Sequence, residues 1–226
     1  MSYEATRARV ETYFDRTATE VWARLTSDAP VSRIRQTVRE GRDAMRARML
    51  ARLPADLSGA RVLDAGCGAG QMTAELAARG ADVVACDISP ALVDIARERL
   101  PSPQKHRVTF HAGDMLDPAL GRFDHVLAMD SLIYYGEADL ARALHGLALR
   151  SAGGVVFTVA PRTPLLMTMW RAGRLFPRAD RSPVMVPHSA RRLAAALQDT
   201  GSAARLAPLG RVARGFYISE AMEVRQ

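Results

Sequence analysis

The stretch VLDAGCGAG, residues 62–70, is where we begin, because it carries an apolar strand into a turn with glycine at positions 66, 68 and 70. Asp64 stands just before that turn, and a helical pattern, MTAELAARG, follows at 72–80. A strand that enters a helix through a glycine-rich turn presents backbone N–H groups to a ligand at the carboxyl end of the strand. The stretch therefore predicts an α/β fold with a ligand site at its first turn.

Strand and helix patterns alternate after this turn. Ser89 and Pro90 mark a helix start, because serine caps helix N-termini and proline fits the first helical turn. The order predicts a doubly wound, Rossmann-like sheet with helices on both faces. The predicted elements are DVVACD (82–87), SPALVDIARERL (89–100), RVTFHAGD (107–114), FDHVLAMD (123–130), EADLARALHGLALR (137–150), GGVVFTVAP (153–161), a helix over 189–201, and strands near 203–209 and 215–224.

Two segments lie outside the alternation. Residues 3–26 and 31–53 place apolar side chains at helical spacing, which predicts two amphipathic helices. Residues 162–187, after the fifth strand, are rich in Arg, Met and Pro. We predict an N-terminal helical arm over 1–53 and an α/β domain over 54–226, with the arm and the insertion forming a lid.

The composition, 226 residues of which 48% are hydrophobic, describes one globular domain with a full-sized core. The N-terminus lacks the apolar run of a signal peptide, and no uncharged apolar segment reaches the ~18 residues of a membrane span. We therefore predict a cytoplasmic protein. The two cysteines, Cys67 and Cys86, offer neither a disulfide framework nor a metal-ligand set, and we predict no protein-bound metal.

The net charge of +7 is unevenly distributed along the chain. Residues 1–52 carry +4, residues 53–161 carry −4, residues 162–192 carry +6, and residues 193–226 carry +1. Lys105 is the only lysine, and the planar fork of arginine suits carboxylate or phosphate recognition. The basic flanks favour an anionic partner, although an arginine-rich coding bias on a solvated surface would leave the same pattern.

Three acids at strand ends indicate which ligand the turn holds. A dinucleotide fits poorly, because Gln71 stands where the third glycine of a GxGxxG motif would fall and Asp64 would repel a pyrophosphate. The cationic sulfonium and ammonium of S-adenosylmethionine suit Asp64 better. Asp87, at the end of the second strand, can accept hydrogen bonds from the ribose hydroxyls. Asp114, after the third strand, can accept a hydrogen bond from the adenine amino group, with Met115 as an apolar neighbour.

The set VLDAGCGAG, DIS, GDM and FDHVLAMD resembles the successive motifs of class I S-adenosylmethionine-dependent methyltransferases over residues 60–161. The resemblance implies a sheet of seven strands with the last one antiparallel. It also implies a cofactor site with the methionine part on the first motif, the ribose on the second, the adenine on the third and Met129 as the floor. The implied cofactor-binding residues are Asp64, Gly66, Gly68, Gly70, Asp87, Ile88, Asp114, Met115 and Met129.

The segments outside the core resemble one branch of this superfamily, the magnesium-protoporphyrin IX O-methyltransferases. The similar stretches are YFDRTATEVW (13–22), VSRIRQTVREGR (31–42), SLIYY (131–135), LFPRADRSPVMVPHS (175–189) and FYISEAMEVR (216–225). The resemblance implies methyl transfer to a porphyrin propionate in (bacterio)chlorophyll biosynthesis, giving a monomethyl ester and S-adenosylhomocysteine. It also implies contact with the large porphyrin-binding subunit of magnesium chelatase and peripheral contact with the inner membrane.

We predict that the basic and apolar lid supplies the substrate contacts. Relatives often have a histidine where this chain has Tyr134 and a tyrosine where it has Thr26. If those family positions act on the substrate, the role passes here to Tyr134 or to neighbours such as Tyr135 and Tyr13. Among these we assign the catalytic, substrate-positioning hydroxyl to Tyr134. The predicted substrate-binding residues are Tyr13, Trp22, Arg39, Arg162, Trp170 and His188. For His188, a structural role at the helix start before Ser189 is the alternative.

Three other functions compete with this one. A methyltransferase of a quinone precursor or another small molecule would share the donor motifs. A nucleic-acid-binding protein would explain the sequence pI of about 10.2, but the chain has no lysine-rich tail and no stacking aromatic motif, so we predict no nucleic-acid partner. A noncatalytic porphyrin carrier would not need the acid and glycine set.

Overall fold

The protein is described here by a computed structural model that covers residues 2–15, 26, 32–164, 167–168 and 183–226. The helices are α1 (Tyr3–Tyr13), α2 (Arg33–Leu50), α3 (Gln71–Ala78), α4 (Pro90–Arg99), α5 (Glu137–Leu149) and α6 (Ala190–Asp199). The strands are β1 (Arg61–Ala65), β2 (Asp82–Asp87), β3 (Val108–Ala112), β4 (His125–Ala128), β5 (Val155–Pro161), β6 (Pro187–His188), β7 (Arg205–Arg214) and β8 (Tyr217–Arg225).

The strands form one sheet in the order β3-β2-β1-β4-β5-β8-β7. The first five are parallel, and β8 lies antiparallel between β5 and β7. The predicted Rossmann-like sheet with an antiparallel last strand is thereby confirmed. The predicted count of seven misses β6, a two-residue strand that pairs with Ala160 and Pro161 at the end of β5.

The last hairpin is longer than the sequence pattern predicts. Pro208 lies within β7, and the pairing with β8 shifts register between Pro208 and Gly210. β7 is the edge strand, where a residue without an N–H and a bulge cost little. The strand therefore continues through Pro208 to Arg214.

Helices cover both faces of the sheet. On one face, α5 and α6 bury leucines against β4, β5 and β8, among them Leu144 and Leu193. On the other, α2 and α3 bury Met45, Met49 and Leu76 in a second apolar cluster with β1 and β2. α2 is therefore part of the hydrophobic core. The domain boundary after residue 53 stays a prediction.

The parallel strands end at a common edge, and this places the acids of the sequence motifs together. Asp64 is in register with Ala85 of β2 and Leu127 of β4, and Asp87 is in register with Ala112 of β3. The carboxyl ends of such strands form the ligand crevice of open α/β sheets.

Helices of the described ranges are too short or too polar to traverse a bilayer.

Two helical glycines test the packing of α2. A Cβ on Gly41 would lie 2.6 Å from the Tyr217 ring, whereas a Cβ on Gly146 in α5 has no neighbour within 4 Å. We expect Gly41→Ala to lower the free energy of unfolding by about 1–3 kcal/mol through overpacking. Gly146→Ala should raise it by roughly 0.5–1 kcal/mol through helix propensity. Chemical denaturation measures both, and equal stabilisation by the two changes would contradict the described packing of α2 on β8.

Candidate active site

A cleft with about 890 Å³ of empty space lies over the carboxyl ends of the parallel strands. Its floor is the glycine turn after β1 and the ends of β2, β3 and β4, and α1 and α2 contribute its walls. Four aspartates and three arginines line it, together with apolar side chains. A concave site lined by a few charged groups and by apolar side chains suits a small-molecule or cofactor ligand.

The glycine turn packs closely against its surroundings. Gly66 has a φ of +88°, and a Cβ there would lie 2.2 Å from the Cβ of Ser131. The N–H groups of Gly66 and Cys67 both donate to the Cys86 carbonyl, at 2.7 and 3.0 Å. Glycine at position 66 therefore brings the first turn directly against the segment that follows β4.

Gly70 is the exception among the predicted cofactor residues, because it does not line the cleft. It has a φ of +84° at the N-terminus of α3, and a Cβ there would lie 2.9 Å from the Cβ of Ala96 in α4. Its role in this structure is close packing of α3 on α4. The other eight predicted cofactor residues line the cleft: Asp64, Gly66, Gly68, Asp87, Ile88, Asp114, Met115 and Met129.

Asp64 and Asp87 are both buried at the base of the cleft. Asp64 accepts a hydrogen bond from the Thr73 hydroxyl at 2.6 Å. Asp87 accepts one from the Gly68 N–H at 2.8 Å and one from the Ser89 N–H at 2.9 Å. Asp87 thus fixes the glycine turn to the end of the neighbouring strand.

Neither of these two carboxylates forms a salt bridge within the described part of the chain. Burial raises the pKa of Asp64 to about 7, against the Thr73 hydrogen bond, and burial also raises the pKa of Asp87. A buried carboxylate without a cation disfavours its charged form. A positively charged ligand at the base of the cleft would therefore stabilise the ionised forms of these two carboxylates.

Asp114 differs, because side chains of α1 bind it. The Tyr3 hydroxyl donates to it at 2.8 Å, and the Arg7 guanidinium donates at 2.9 Å. The Tyr3 ring stacks on Tyr135, with centroids 4.8 Å apart. Tyr3 and Arg7 were not among the predicted site residues, although with Val10 and Phe14 they repeat every three or four residues along one helix face, a pattern that could have identified them.

Asp130, which follows β4, is the other cleft acid with an arginine partner. Arg42 of α2 forms a salt bridge with it, and the Tyr217 hydroxyl lies 3.2 Å from each of its carboxylate oxygens. Its backbone N–H donates to the Thr158 hydroxyl at 2.7 Å, and that hydroxyl lies 3.0 Å from the carboxylate. Asp130 has a φ of +56°, which costs of order 1–3 kcal/mol in a residue other than glycine. Side chains from three elements, α2, β5 and β8, hold this strained residue in place.

Tyr134, the predicted catalytic residue, lines the cleft and is largely buried. Phe14, the residue that follows α1, packs edge-on against its ring, with the ring centroids 6.3 Å apart. Burial raises the pKa of the Tyr134 hydroxyl above its usual range, so the group is a neutral hydrogen-bond donor at neutral pH. Thr26 also lines the cleft, and its hydroxyl accepts from Arg99 at 3.1 Å.

The structure does not bring most of the predicted substrate contacts into the cleft. Arg39 and the exposed Arg162 lie outside its lining, which instead contains Arg7, Arg42 and Arg46. Arg39 and Arg42 are about 60° apart around α2, and Arg42 is the one of the two that lines the cleft. Trp22 and Trp170 fall outside the described residues.

Tyr13 and His188 also lie outside the cleft lining. Tyr13 makes an edge contact with Phe14, which does line the cleft. His188 is buried on β6, and its Nε2 lies 3.0 Å from the Tyr135 carbonyl. Because a carbonyl can only accept, Nε2 carries the proton, and burial lowers the pKa of the ring. This position favours the structural role for His188.

The residues of the cleft fit S-adenosylmethionine. The glycines permit close approach to the backbone, and the two buried carboxylates without salt bridges match a ligand with a sulfonium and an ammonium. Ile88, Leu92, Met115 and Met129 supply apolar surface for a flat base. Among the described residues, no cluster of histidine, cysteine or acidic side chains could hold a metal ion.

Comparison with known proteins gives matches over the whole chain. A family model described as magnesium-protoporphyrin IX methyltransferase C-terminus matches residues 128–226, and a methyltransferase domain model matches residues 62–150. The magnesium-protoporphyrin O-methyltransferase of Rhodobacter capsulatus is 60% identical over 224 residues, 99% of this chain and 98% of the relative.

A solved structure and a more distant relative add to this. The crystal structure of magnesium protoporphyrin IX methyltransferase from Synechocystis PCC 6803 with bound SAH superposes with a TM-score of 0.78 and 28% identity, covering 97% of this chain and 100% of that chain. A ubiquinone biosynthesis O-methyltransferase of Xanthomonas oryzae is 34% identical, but over only 54% of this chain and 54% of its own. The similarity to the quinone enzyme thus stops at about half of the molecule.

Asp64 should make the affinity for S-adenosylmethionine depend on pH. The ionised carboxylate attracts the cationic donor and the protonated acid does not. With a pKa of about 7 in the free protein, we expect affinity to fall about fivefold between pH 7 and pH 6 and to level off above neutral pH. Isothermal titration calorimetry measures the dissociation constant across this range.

Asp64→Asn should flatten this pH profile, and Asp94→Asn, a change at an exposed acid of α4, should leave it unaltered. An undiminished pH dependence in Asp64→Asn would assign the effect to another group.

Proposed function

Because this chain belongs to the magnesium-protoporphyrin IX methyltransferase family, we propose that it transfers a methyl group from S-adenosylmethionine to a propionate carboxylate of Mg-protoporphyrin IX. The products are the monomethyl ester and S-adenosylhomocysteine, and the reaction belongs to (bacterio)chlorophyll biosynthesis. The observation that carries the proposal is a pair of buried acids, Asp64 and Asp87, beside a glycine turn that admits a ligand. Neither acid has a salt bridge to any residue that the structure describes.

The donor lies along the carboxyl ends of β1, β2 and β3. Asp64 attracts its positive end, and Asp87 keeps lone pairs for the ribose hydroxyls besides the two N–H groups that it accepts. Asp114 and Met115 face the adenine, where Tyr3 and Arg7 already fix the carboxylate. When bound, S-adenosylmethionine supplies an electrophilic methyl group on its sulfonium.

The acceptor needs positioning more than acid–base catalysis. A propionate, with a pKa of about 4 to 5, is already ionised at neutral pH, so no side chain has to remove a proton. The neutral Tyr134 hydroxyl can donate a hydrogen bond that orients the acceptor. Alignment of two reactants can contribute roughly 7–11 kcal/mol to lowering a barrier.

α1 helps to exclude water from the reaction. Its residues Tyr3 and Val10 line the cleft, as does Phe14, which caps the helix. Val10 packs with Ile133 and Tyr134. Water that solvated the carboxylate would weaken its attack on the methyl group, and an apolar wall removes that water. The role of this helix and of the insertion at 162–187 as a lid is part of the proposal.

An activity assay tests the proposed reaction. The purified protein with S-adenosylmethionine and Mg-protoporphyrin IX should yield pigment with one added methyl group, measured by mass spectrometry.

Asp87→Ala should reduce donor affinity at least tenfold, because it removes the hydrogen-bond acceptor that contacts the donor and fixes the glycine turn. Tyr134→Phe should lower turnover about tenfold, the value of one hydrogen bond.

Asp82→Ala, at the exposed start of β2, is the matched control and should keep full activity. Methylation of a quinone precursor with none of the pigment would overturn the substrate, and porphyrin binding without methyl transfer would favour a carrier.

Peripheral membrane contact is best supported, on the described surface, at the corner where the β7–β8 hairpin meets α2. The tip of the β7–β8 hairpin lies against the start of α2, since a Cβ on Gly215 would lie 2.4 Å from the Thr37 hydroxyl. Phe216 is 73% exposed and Ile34 is 55% exposed, and three exposed arginines accompany them: Arg33, Arg35 and Arg214. Exposed apolar side chains among arginines suit an anionic phospholipid surface.

Co-sedimentation with vesicles tests this corner. The wild-type protein should bind phosphatidylglycerol vesicles, bind phosphatidylcholine vesicles several-fold less, and dissociate at high salt. The double change Ile34→Ser, Phe216→Ser should reduce binding at least fivefold. Leu149→Ser, at an equally exposed leucine of α5, is the control. Equal loss with the control would contradict a specific membrane surface.

We also propose, on the resemblance alone, contact with the large porphyrin-binding subunit of magnesium chelatase. A cytoplasmic protein that touches the inner membrane is consistent with receiving an apolar pigment from such a partner.

A further inference from the structure

We propose that Arg42, held by Asp130, binds the propionate carboxylate that becomes methylated, and so orients the nucleophile. The inference rests on the proposed function and assigns a residue to its acceptor side. Arg42 lies in α2, far in sequence from the glycine turn and from β4.

Arg42 lies beside the part of the donor site that the glycine turn forms. Asp130, its partner, directly precedes Ser131, which touches Gly66 of the glycine turn. Gly66 and Asp64 line the part of the cleft assigned to the methionine moiety. The Arg42–Asp130 pair therefore lies near the expected position of the reacting methyl group, rather than at the adenine end.

The guanidinium of Arg42 is held by a carboxylate that is itself fixed by the fold. Asp130 is bound by Tyr217 from β8 and Thr158 from β5, and its own backbone conformation is strained. The side chains of Arg42 and Asp130 are only 13% and 8% exposed. A strained residue that the surrounding structure holds in place is typical of functional sites, because the fold fixes a geometry that it would not otherwise adopt.

The charge of Arg42 is balanced by Asp130, which Nη1 contacts at the cleft. A guanidinium is a planar fork with five N–H donors, and this geometry can bind more than one carboxylate. An isolated guanidinium would also weaken the carboxylate as a nucleophile. The salt bridge with Asp130 largely neutralises that field, so Arg42 can orient the propionate by hydrogen bonds while leaving its lone pairs reactive.

Tyr134 lies within the same electrostatic environment. Burial raises the pKa of its hydroxyl, Asp130 raises it further, and Arg42 lowers it. Both candidate donors to the acceptor, the hydroxyl and the guanidinium, line one cleft. The other two cleft arginines bind different acids, Arg7 with Asp114 and Arg46 with Glu75.

The substrate and its product together provide the test. Mg-protoporphyrin IX carries the reacting carboxylate, and the monomethyl ester has lost it while keeping the second propionate. Soret titrations in the presence of S-adenosylhomocysteine give the dissociation constant of each pigment. Arg42→Gln should weaken binding of the diacid at least tenfold and binding of the monoester less than twofold.

Arg42→Lys keeps a cation beside Asp130 and is the variant to test if Arg42→Gln does not fold. Arg42→Lys should bind S-adenosylmethionine as the wild type does. Its affinity for the diacid pigment should fall and its turnover should be reduced at least tenfold, because an ammonium lacks the planar fork of a guanidinium. Tyr217→Phe should produce a smaller loss of the same kind. Arg48→Gln is the control, because Arg48 lies on the same helix and, in the described structure, donates only to the Leu209 carbonyl. This change should alter the dissociation constant of neither pigment.

Equal weakening of both pigments would overturn the inference, since it would mean contact with the second propionate or a general loss of packing. Unchanged binding of the diacid would overturn it as well. A wild-type protein that neither binds nor methylates the pigment would instead refute the proposed function.

Discussion

The site depends on two carboxylates buried at the ends of neighbouring parallel strands, and no cation among the described residues forms a salt bridge with either. Asp64 and Asp87 lose hydration on folding, and their hydrogen bonds to Thr73, Gly68 and Ser89 replace it only in part. The sheet places them side by side because parallel strands end at one edge. A sulfonium and an ammonium can balance the negative charge that these two carboxylates carry when ionised.

The two remaining strand-end acids behave in the opposite way, and the contrast organises the cleft. Asp114 and Asp130 are bound by arginines, Arg7 from α1 and Arg42 from α2. Acids without a cation thus face the part assigned to a cationic donor, and acids that hold arginines lie where the N-terminal helices meet the sheet. One row of strand ends can in this way serve a positively charged donor and a negatively charged acceptor.

The N-terminal helices belong to the catalytic structure as well as to the core. α2 buries Met45 and Met49 against the sheet, and the same helix carries Arg42 into the cleft. Gly41 allows this approach, because the Tyr217 ring occupies the space of its missing side chain. Tyr217 in turn binds Asp130, so close packing of helix on strand and the geometry of the site have a common origin.

The sequence by itself determined the fold and the donor side of the site, because both rest on short-range patterns. Alternating strands and helices, a glycine turn and acids at strand ends are fixed by neighbours in the chain, and eight of nine predicted cofactor residues line the cleft. Only the tertiary structure decided the acceptor side. Which arginine of α2 enters the cleft depends on how the helix is rotated on the sheet, and a shift of about 60° separates Arg39 from Arg42. The contact of His188 with the Tyr135 carbonyl and the close approach of Gly70 to Ala96 likewise involve partners distant in sequence, which no local pattern reveals.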